Sequence, residues 1–490
     1  MKKSVLLFTM IYVAVCGMQA QQRIEVQKNL EGKKLEASFV REAKYLGQYD
    51  GLYCFVGDGH KHRKRLVLAD HNMEPLRVME MPESSVNCDV MAGCISGNMV
   101  SMLLVDNDER GQALVFRGSY DLDSMRPAEG DRGLYMLDSV VFGRNDRCMV
   151  WAATSPNALY NAMVLIVEYT ERKQYSAHAV LFDANMKELW HHDYAMGSMN
   201  DMQVTDDGTI VTLGYELEGE ETHFVFNIMD AKKAETYAAI LKCDPIREMK
   251  LAGVLGSHIM AVGLFNPWES YISEHVCGGV VGLSFDKDSA VLTGFTMRPF
   301  QNEDINIMYN KNTRKMQRDQ EVEFVSVVGS VMTSEGAVVA VGRNFRRENI
   351  EDNGSVTYSY HRVGLHLVSI DTLGHVRWAR NLRRNDMQKK GDEMLNVTLL
   401  QNNGRTYIVK SEHRKYPAIY DIAKEAKEYK AGSKGNLVVY SIGREGDVEK
   451  AVVEQKTPFG FVRGMLRPDG VMALYTQDGS RTRLVELRVK

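Results

Sequence analysis

The feature that most constrains this chain is a hairpin phrase that recurs along its length. An apolar strand leads into an Asp turn, and a second strand that often contains Trp follows the turn. Two copies carry the pairs Asp183–Trp190 and Asp371–Trp378, seven positions apart in both cases. An Asp carboxylate can bond the backbone two residues ahead, which favours a tight turn. We therefore predict that these four residues are structural repeat positions and take no part in binding or catalysis.

A second kind of hairpin alternates with the first and turns through Asp-Gly or a related pair. Its clearest copy spans residues 202–214 and turns at Asp207-Gly208. Asp-Gly between two apolar runs is a strong hairpin signal, because glycine adopts positive φ without a steric penalty. Related hairpins span residues 331–342, 399–409 and 465–474.

One hairpin of each kind makes four antiparallel strands, and this unit repeats down the chain. Residues 461–490 lack a full set of strands, so we predict that an N-terminal strand near residues 35–40 completes the last unit. Helical periodicity is confined to residues 422–429, where we predict a short helix. The complete units lie near residues 41–81, 88–129, 138–194, 200–240, 251–297, 323–382 and 395–455.

These repeats resemble those of β-propellers, above all the WD40-like and quinoprotein-like ones. The resemblance rests on the two Asp…Trp phrases and on the Asp-Gly hairpins, and it covers nearly all of residues 41–490. It implies an all-β fold in which residues 21–490 form a single ring of seven or eight four-stranded antiparallel blades with long insertions. Two stacked β-sandwiches are the alternative, although a sandwich does not explain why two hairpin types alternate.

The first twenty residues have the pattern of a secretory signal peptide. Two lysines precede a nearly continuous apolar run over residues 5–16, and Ala20 is a small residue suited to the cleavage site. We predict that residues 1–20 are removed and that the protein is exported to the periplasm or the cell exterior. The alternatives are lipid attachment at Cys16 and a buried N-terminal strand. We expect no transmembrane segment, because no later apolar run is long enough to span a bilayer.

Composition narrows the possible functions. Sixty Lys and Arg against 64 Asp and Glu give a net charge of −4, which argues against a generally basic nucleic-acid-binding protein. With 44% hydrophobic residues, the chain is expected to fold rather than remain disordered. The densest basic run, residues 60–65, is interpreted as a solvated loop that protects a strand edge or as a contact for a polyanion.

Six cysteines remain after residue 20, and their redox state is open. Export permits disulfides and the even number fits them, but six cysteines in so long a chain are sparse. The apolar sequence around several of them favours buried free thiols. These residues are Cys54, Cys88, Cys94, Cys148, Cys243 and Cys277.

The sequence contains no strong catalytic or metal-binding motif. It lacks Cys-x-x-Cys, Gly-x-Ser-x-Gly and His-Glu-x-x-His. A run at residues 106–111 resembles a calcium loop, but Arg110 and Arg117 occupy positions that require ligands. His191 and His192 are neighbours in a predicted strand, so they would point to opposite faces. We therefore predict no catalytic residue, no metal ion and no cofactor, quinone included.

Four insertions interrupt the hairpins and are the candidate recognition elements. They span residues 265–277, 302–320, 343–361 and 411–435. Their aromatic residues alternate with Asn, Glu, Lys and Arg, a mixture that suits binding loops. Either they gather on one face around the central pocket, or they only cap blade edges. The candidate ligand-binding residues are Trp268, Tyr271, Tyr309, Tyr358, Tyr360, Tyr416 and Tyr420.

These features predict an exported, non-catalytic propeller that binds a protein or glycan partner, and not nucleic acid, through its insertions. The second hypothesis is a carbohydrate-active propeller hydrolase or lyase. For glycoside hydrolysis it would need two carboxylates about 5 Å or roughly 6.5–9.5 Å apart. A third is a structural subunit of a surface assembly, which would expose an apolar patch. The sequence leaves the oligomeric state open.

We predict that the mature protein begins near Gln21, because the polar pair Gln21–Gln22 follows the small residue at the cleavage site. N-terminal sequencing of protein purified from its native host would show this directly. Recovery of an intact Met1 would contradict both cleavage and the export that we infer from it.

Overall fold

A computed structural model describes most of the chain. Residues 1–20, with the predicted signal peptide, and residues 35–40, with the predicted closing strand, lie outside the described part. The described residues are 24–27, 43–58, 64–70, 74–81, 88–107, 113–134, 147–169, 174–194, 199–268, 275–311, 322–350, 355–389, 395–458, 460–466, 471–478 and 481–489.

The described residues form eight mainly antiparallel sheets, here called blades 1 to 8. The first strand, β1 (Ile24–Gln27), belongs to the last blade. Blade 1 contains β2 (Lys44–Tyr49), β3 (Leu52–Asp58), β4 (Lys64–Ala69) and β5 (Pro75–Glu80). Blade 2 contains β6 (Cys88–Ser96), β7 (Met99–Asn107), β8 (Ala113–Asp121) and β9 (Arg126–Leu134). Blade 3 contains β10 (Arg147–Thr154), β11 (Tyr160–Tyr169), β12 (Gln174–Asp183) and β13 (Glu188–Tyr194).

Blades 4 and 5 continue the pattern, and a short ribbon follows them. Blade 4 contains β14 (Asp201–Val204), β15 (Ile210–Glu218), β16 (Glu221–Met229) and β17 (Ala234–Lys242). Blade 5 contains β18 (Ile246–Leu255), β19 (His258–Phe265), β21 (Gly279–Asp286) and β22 (Val291–Pro299). The ribbon pairs β20 (Val276–Cys277) with β23 (Val322–Glu323), and the helix α1 (Asn302–Met308) lies between these two strands in sequence.

The last three blades contain the longest strands. Blade 6 contains β24 (Val325–Thr333), β25 (Gly336–Ile350), β26 (Val356–Asp371) and β27 (Val376–Gln388), with β30 (Tyr429–Lys430) as a parallel fifth strand. Blade 7 contains β28 (Thr398–Asn402), β29 (Arg405–His413), β31 (Lys434–Ile442) and β32 (Val448–Pro458). Blade 8 contains β33 (Gly460–Leu466), β34 (Val471–Asp478), β35 (Arg481–Val489) and β1.

The blades form a ring, so the chain is an all-β propeller with eight blades among the described residues. First strands of consecutive blades lie against one another along the chain, which places them nearest the axis. The ring closes through β1, which pairs antiparallel with β35. The hydroxyl of Tyr53 in blade 1 also hydrogen-bonds Glu486 in blade 8. The sequence predicted seven or eight blades, and the incomplete last unit is the eighth.

The apolar core lies between consecutive blades. Val180 and Phe182 of blade 3 pack with Leu103 of blade 2. Their strand neighbour Leu181 points the other way and packs with Ile210 of blade 4. Alternate side chains of a strand point to opposite faces, so each sheet buries apolar residues on both sides. This explains the continuous apolar runs in the second and third strands.

The repeated Asp residues organise the turns between third and fourth strands. Asp183 Oδ1 accepts hydrogen bonds from the backbone N–H groups two and four positions ahead, at 2.8 and 2.9 Å. Asp371 makes the same two bonds, at 2.9 and 2.8 Å. Asp230 and Asp286 bond the N–H groups two and three positions ahead in blades 4 and 5. The recurrence in four blades fits the turn role inferred from the sequence.

The two repeat tryptophans differ in burial. Trp378 is buried in the apolar cluster between blades 6 and 7, where Gly446 of a blade 7 turn lies against its ring. Trp190 is only half-buried and lies beside the ring of His192. The expectation that both are buried therefore needs correction for Trp190. Its strand, β13, is the outer strand of its blade and exposes alternate residues to solvent.

The predicted helix over residues 422–429 is wrong. Most of this segment is irregular, and its backbone is bonded by distant side chains instead of by helical neighbours. Arg383 Nε donates to the carbonyl of Ile422 at 2.9 Å, and Asn310 Nδ2 donates to that of Ala426 at 2.8 Å. The described α-helix, α1, lies in another insertion. No helix in the described ranges is both long and apolar enough to cross a membrane.

Five of the six cysteines have described side chains and all five are buried, with Cys54, Cys94, Cys243 and Cys277 as free thiols. Burial raises the pKa of Cys54 and of Cys277 to about 12, so both are protonated and unreactive at neutral pH. The side chain of Cys88 lies outside the described part. The buried thiols agree with the interpretation of apolar cysteine positions in the sequence.

Replacing Trp378 with Ala is expected to lower the free energy of unfolding by about 3–5 kcal/mol, because a buried indole leaves a cavity. Trp190→Ala is the matched control and should lower it by less, since solvent already reaches that ring. Denaturant titration of both variants gives the two values. Equal losses would contradict the packing role assigned to Trp378.

Candidate functional site

All four insertions lie on one side of the ring. Strands within a blade are antiparallel, so links between second and third strands share a side with links between blades. Insertions 265–277, 343–361 and 411–435 join second and third strands of blades 5, 6 and 7. Insertion 302–320 leads from blade 5 to blade 6. We call the described residues of these four insertions the insertion cap.

Direct contacts join the insertions to one another. β20 of the first insertion pairs with β23, which follows the second. The guanidinium carbon of Arg343 lies 4.0 Å from the ring centroid of Tyr309. Asn310 donates to the carbonyl of Ala426 and accepts from its N–H, both at 2.8 Å. The cap is therefore one continuous structure and not four separate loops.

A buried carboxylate holds α1 against the ring. Asp304 accepts hydrogen bonds from Arg298 Nη1 and Asn381 Nδ2, both at 2.8 Å, and from the N–H of Gln301 at 2.9 Å. His366 Nδ1 lies 3.2 Å from Asp304 Oδ1, the oxygen that also accepts the bond from Asn381. Arg298 belongs to blade 5, and His366 and Asn381 belong to blade 6. Asp304 thus ties the cap to two blades at once.

His366 is neutral in this network. Arg298 Nη1 donates to His366 Nε2 at 2.8 Å, so the ring proton is on Nδ1 and faces the side-chain oxygen of Asn381 at 2.7 Å. Complete burial lowers the pKa of His366 to about 4, despite the opposing attraction of the Asp304 carboxylate. At neutral pH the network therefore holds one cation, Arg298, and one anion, Asp304.

A second buried charge cluster lies where insertion 411–435 leaves blade 7. Lys410 Nζ and Lys450 Nζ lie 2.8 and 2.6 Å from the carboxylate oxygens of Glu412, and all three side chains are buried. The hydroxyl of Tyr440 also donates to Glu412. Burial alone would raise the pKa of Glu412, but the two ammonium groups outweigh it and hold the pKa below its usual value. The charges fix the base of this insertion.

Arg383 of blade 6 hydrogen-bonds residues of two insertions. Its side chain is buried, and besides Ile422 it contacts the carbonyl of Asn306 in α1 through Nη1 at 3.4 Å. Burial lowers the pKa of Arg383, although nearby acidic groups oppose the shift. Its Nη2 has no hydrogen-bond partner in the described part of the chain. Arg383 is thus the point at which α1 and insertion 411–435 meet the ring.

The strands β25 and β26 continue beyond blade 6 and form a hairpin within the cap. One face of this hairpin is buried in the part nearest blade 6. The rings of Phe345 and His361 are stacked with centroids 5.0 Å apart, and Ser359 and His361 are buried. Asn349 Nδ2 donates to the hydroxyl of Ser359 at 3.1 Å. These contacts join the two strands of the hairpin to each other.

The other face of the hairpin is open to solvent and mainly apolar at its tip. Its exposed fractions are 76% for Ile350, 47% for Val356 and 38% for Tyr358. The guanidinium carbon of Arg346 lies 4.3 Å from the ring centroid of Tyr358. Cross-strand pairing places six side chains on this face, which we call the hairpin front: Arg346, Glu348, Ile350, Val356, Tyr358 and Tyr360.

Two of the aromatic residues predicted to bind a ligand point into the cap. Tyr416 is buried, its hydroxyl donates to the carbonyl of Asp421 at 2.9 Å, and Lys450 lies over its ring. The hydroxyl of Tyr420 donates to the carbonyl of Asn381 at 2.8 Å. The Tyr416 bond lies within insertion 411–435, and the Tyr420 bond holds this insertion to blade 6.

The other predicted aromatic residues are more accessible or are not described. Tyr358 and Tyr360 lie together on the hairpin front. Tyr309 lies under Arg343, and Trp268 is half-buried near the start of the first insertion. Tyr271 lies outside the described residues. Among the described candidates, Tyr358 and Tyr360 lie two positions apart on one face of a strand.

The opposite side of the ring contains a cleft of about 660 Å³. It lies between the ends of the first strands of blades 3 to 6. The sequence predicted only hairpin turns in this region. Its polar lining residues are Thr154, Gln203, Thr205, Asp206, Asp207 and Lys287.

The acidic residues that line the cleft come from a single blade. Asp206 and Asp207 are neighbours in one turn of blade 4, and no other acidic residue is among its lining residues in the described part of the chain. Nor do the described residues include a group of three His, Cys, Asp or Glu placed to hold a metal ion.

Comparison with known proteins finds similar propeller structures at low sequence identity and assigns no function. No protein-family model matches the chain, and no curated protein matches it in sequence. The WD40 domain of SCAP from fission yeast is 10% identical with a TM-score of 0.38, over 95% of this chain and 98% of that chain. The Dos1 propeller is 10% identical with a TM-score of 0.31, over 79% and 88% of the two chains. Polysaccharide lyase Uly1 is 10% identical with a TM-score of 0.35, over 82% and 90%.

Tyr358 and Tyr360 were predicted from the sequence, but the strand that places them on one face of a hairpin was not. Val356, Tyr358 and Tyr360 alternate with polar residues, a period of two that indicates a strand continuing through the insertion. That signal would have identified the hairpin front. Asp304 and His366 carry no comparable signal, because they lie 62 positions apart (366 − 304) and meet only when blade 6 packs on α1.

Acidification should destabilise the protein partly through His366. The unfolded chain binds a proton near pH 6.5, whereas the native side chain resists protonation down to about pH 4, so stability falls across this window. Between pH 7.5 and 4 the wild type should lose about 3 kcal/mol more than His366→Gln. Urea titrations at both pH values measure the difference. The exposed His191→Gln is the control and should behave as the wild type does; an equal loss in all three proteins would contradict the assignment.

Proposed function

We propose that this chain is an exported β-propeller that binds a macromolecular partner, protein or glycan, through its insertion cap. The observation that carries the proposal is the hairpin front. There, apolar side chains are exposed together on a hairpin whose opposite face is buried at Ser359 and His361. Isolated exposed apolar residues are ordinary, but a group of them on one ordered face is typical of an interaction site.

The chemistry of the hairpin front suits recognition. Ile350 and Val356 supply apolar area at the tip, and Tyr358 supplies an aromatic ring with a polar hydroxyl. Arg346 covers part of that ring and presents a planar cation beside it. Tyr and Arg are enriched at binding hot spots because they combine large contact area with hydrogen bonding. The stacked Phe345–His361 pair limits the entropy lost on binding, since the hairpin is already ordered.

The second hypothesis, a carbohydrate-active hydrolase or lyase, has less support. Glycoside hydrolysis needs two carboxylates placed across the scissile bond. In the cleft, Asp206 already accepts the N–H of Asn157 at 2.8 Å, and Asp207 accepts that of Thr209 at 3.2 Å. Both acids come from one turn instead of facing each other from different blades. The binding function therefore remains our proposal.

The proposal is tested with a variant of the hairpin front, Ile350→Ser/Val356→Thr/Tyr358→Ser. The mature protein is immobilised and exposed to the envelope fraction of its native host and, separately, to an array of purified glycans. Burying a side chain the size of Val356 or Ile350 in an interface contributes roughly 1.5–3 kcal/mol to the free energy of binding. The variant should therefore bind any partner retained by the wild type at least about tenfold more weakly.

The matched control is Leu189→Ser/Ile240→Thr/Val291→Thr. These residues are 47%, 55% and 53% exposed on outer strands of blades 3, 4 and 5, away from the cap. Both variants should unfold at the wild-type temperature, and the control should bind as the wild type does. Equal binding by all three proteins, or loss only in the control, would overturn the assignment to the hairpin front.

A further inference from the structure

The cleft on the side opposite the cap has the composition of a small-molecule site. Its volume, about 660 Å³, lies within the range of roughly 300–1,000 Å³ that such sites occupy. Val254 and Met332 provide apolar walls from blades 5 and 6. Met332 also packs against Gly253, where φ is +151° and any side chain would collide with it. The glycine therefore allows the two blades to meet closely at this wall.

The two carboxylates of the cleft are held by a turn of blade 3 and by their own turn of blade 4. Asp206 Oδ1 accepts from the N–H of Asn157 in blade 3, and Asp207 Oδ1 accepts from Thr209 and Thr205. Asp206 Oδ2 accepts no hydrogen bond among the described residues, whereas the Asp207 carboxylate also accepts one from the Thr209 side chain. A fixed carboxylate with an unused oxygen is suited to accept hydrogen bonds from a ligand.

A lysine lines the same cleft without an ion-pair partner. Lys287 follows the third strand of blade 5, and its N–H bonds the carbonyl of Ser257 at 2.9 Å. In the part of the chain that the structure describes, no carboxylate lies within 4 Å of its ammonium group. Burial would raise the pKa of Asp207, but hydrogen bonds from Thr205 and Thr209 and the charge of Lys287 outweigh it and keep the pKa below its usual value. The cleft thus holds a cation and an anion that do not neutralise each other directly.

We propose that this cleft binds a small ligand that carries one carboxylate beside hydrogen-bond donors. Lys287 binds the carboxylate, and Asp206 and Asp207 accept hydrogen bonds from hydroxyl or ammonium groups. Sugar acids and short peptides or amino acids share this chemistry. A neutral sugar lacks the group that Lys287 recognises. The site lies across the ring from the insertion cap, so it is independent of the partner binding proposed above.

Calorimetric titration of the mature protein tests the proposal with three probes: glucuronate, alanyl-alanine and glucose. We expect glucuronate or alanyl-alanine to bind, and glucose to bind at least tenfold more weakly. The response to the first two distinguishes a sugar acid from a peptide. Lys287→Met and Asp207→Asn should each weaken binding at least tenfold, while Lys232→Met, an exposed lysine of blade 4, is the control and should not.

Two further measurements keep the result clear of folding effects and of the cap. The thermal unfolding midpoint of Lys287→Met should equal that of the wild type, since its ammonium holds no structural ion pair. The hairpin-front variant should bind the same probe unchanged, which separates this site from the proposed function. Absence of binding by both carboxylate probes, or equal binding by Lys287→Met and the wild type, would overturn the proposal.

Discussion

The structure depends on the burial of apolar side chains between consecutive blades. A single four-stranded sheet of this chain is apolar on both faces. In blade 3, Leu181 packs against blade 4 and its neighbour Phe182 packs against blade 2. Such a sheet is not stable alone, because both apolar faces would be exposed to water. Stacking the sheets in a ring buries both faces and leaves the two sides of the ring available for loops. The cap and the cleft occupy these two sides.

Polar groups, in contrast, decide where the cap is attached. Asp304 with Arg298, and Glu412 with Lys410 and Lys450, are buried ion pairs that are costly to separate. They join α1 to blade 5 and fix the base of insertion 411–435 on blade 7. Apolar packing alone is not directional, whereas paired charges with fixed hydrogen bonds define one geometry. The hairpin front is consequently presented on an ordered base.

Local patterns predicted local structure well and distant contacts poorly. The Asp371 turn and the burial of Trp378 followed from the repeat, because turn chemistry and strand alternation act over a few residues. The helix predicted at residues 422–429 failed, since Arg383 and Asn310 supply hydrogen bonds that compete with helical ones. The insertion at 343–361 was treated as a loop although its alternation continues that of a strand. The choice of candidate residues suffered most, because Tyr416 and Tyr420 are aromatic loop residues that turn inward.

The sequence by itself determined the repeat, the all-β class, the antiparallel four-stranded unit and the turns that join its strands. Each of these depends on residues close together in the chain, so the pattern of side chains is sufficient. Only the tertiary structure decided which insertions interlock, which aromatic rings remain exposed and which charged groups share the cleft. Asp207 and Lys287 come from different blades, and Arg298 meets Asp304 and His366 only in the closed stack. Those contacts arise from the packing of blades, which no local pattern encodes.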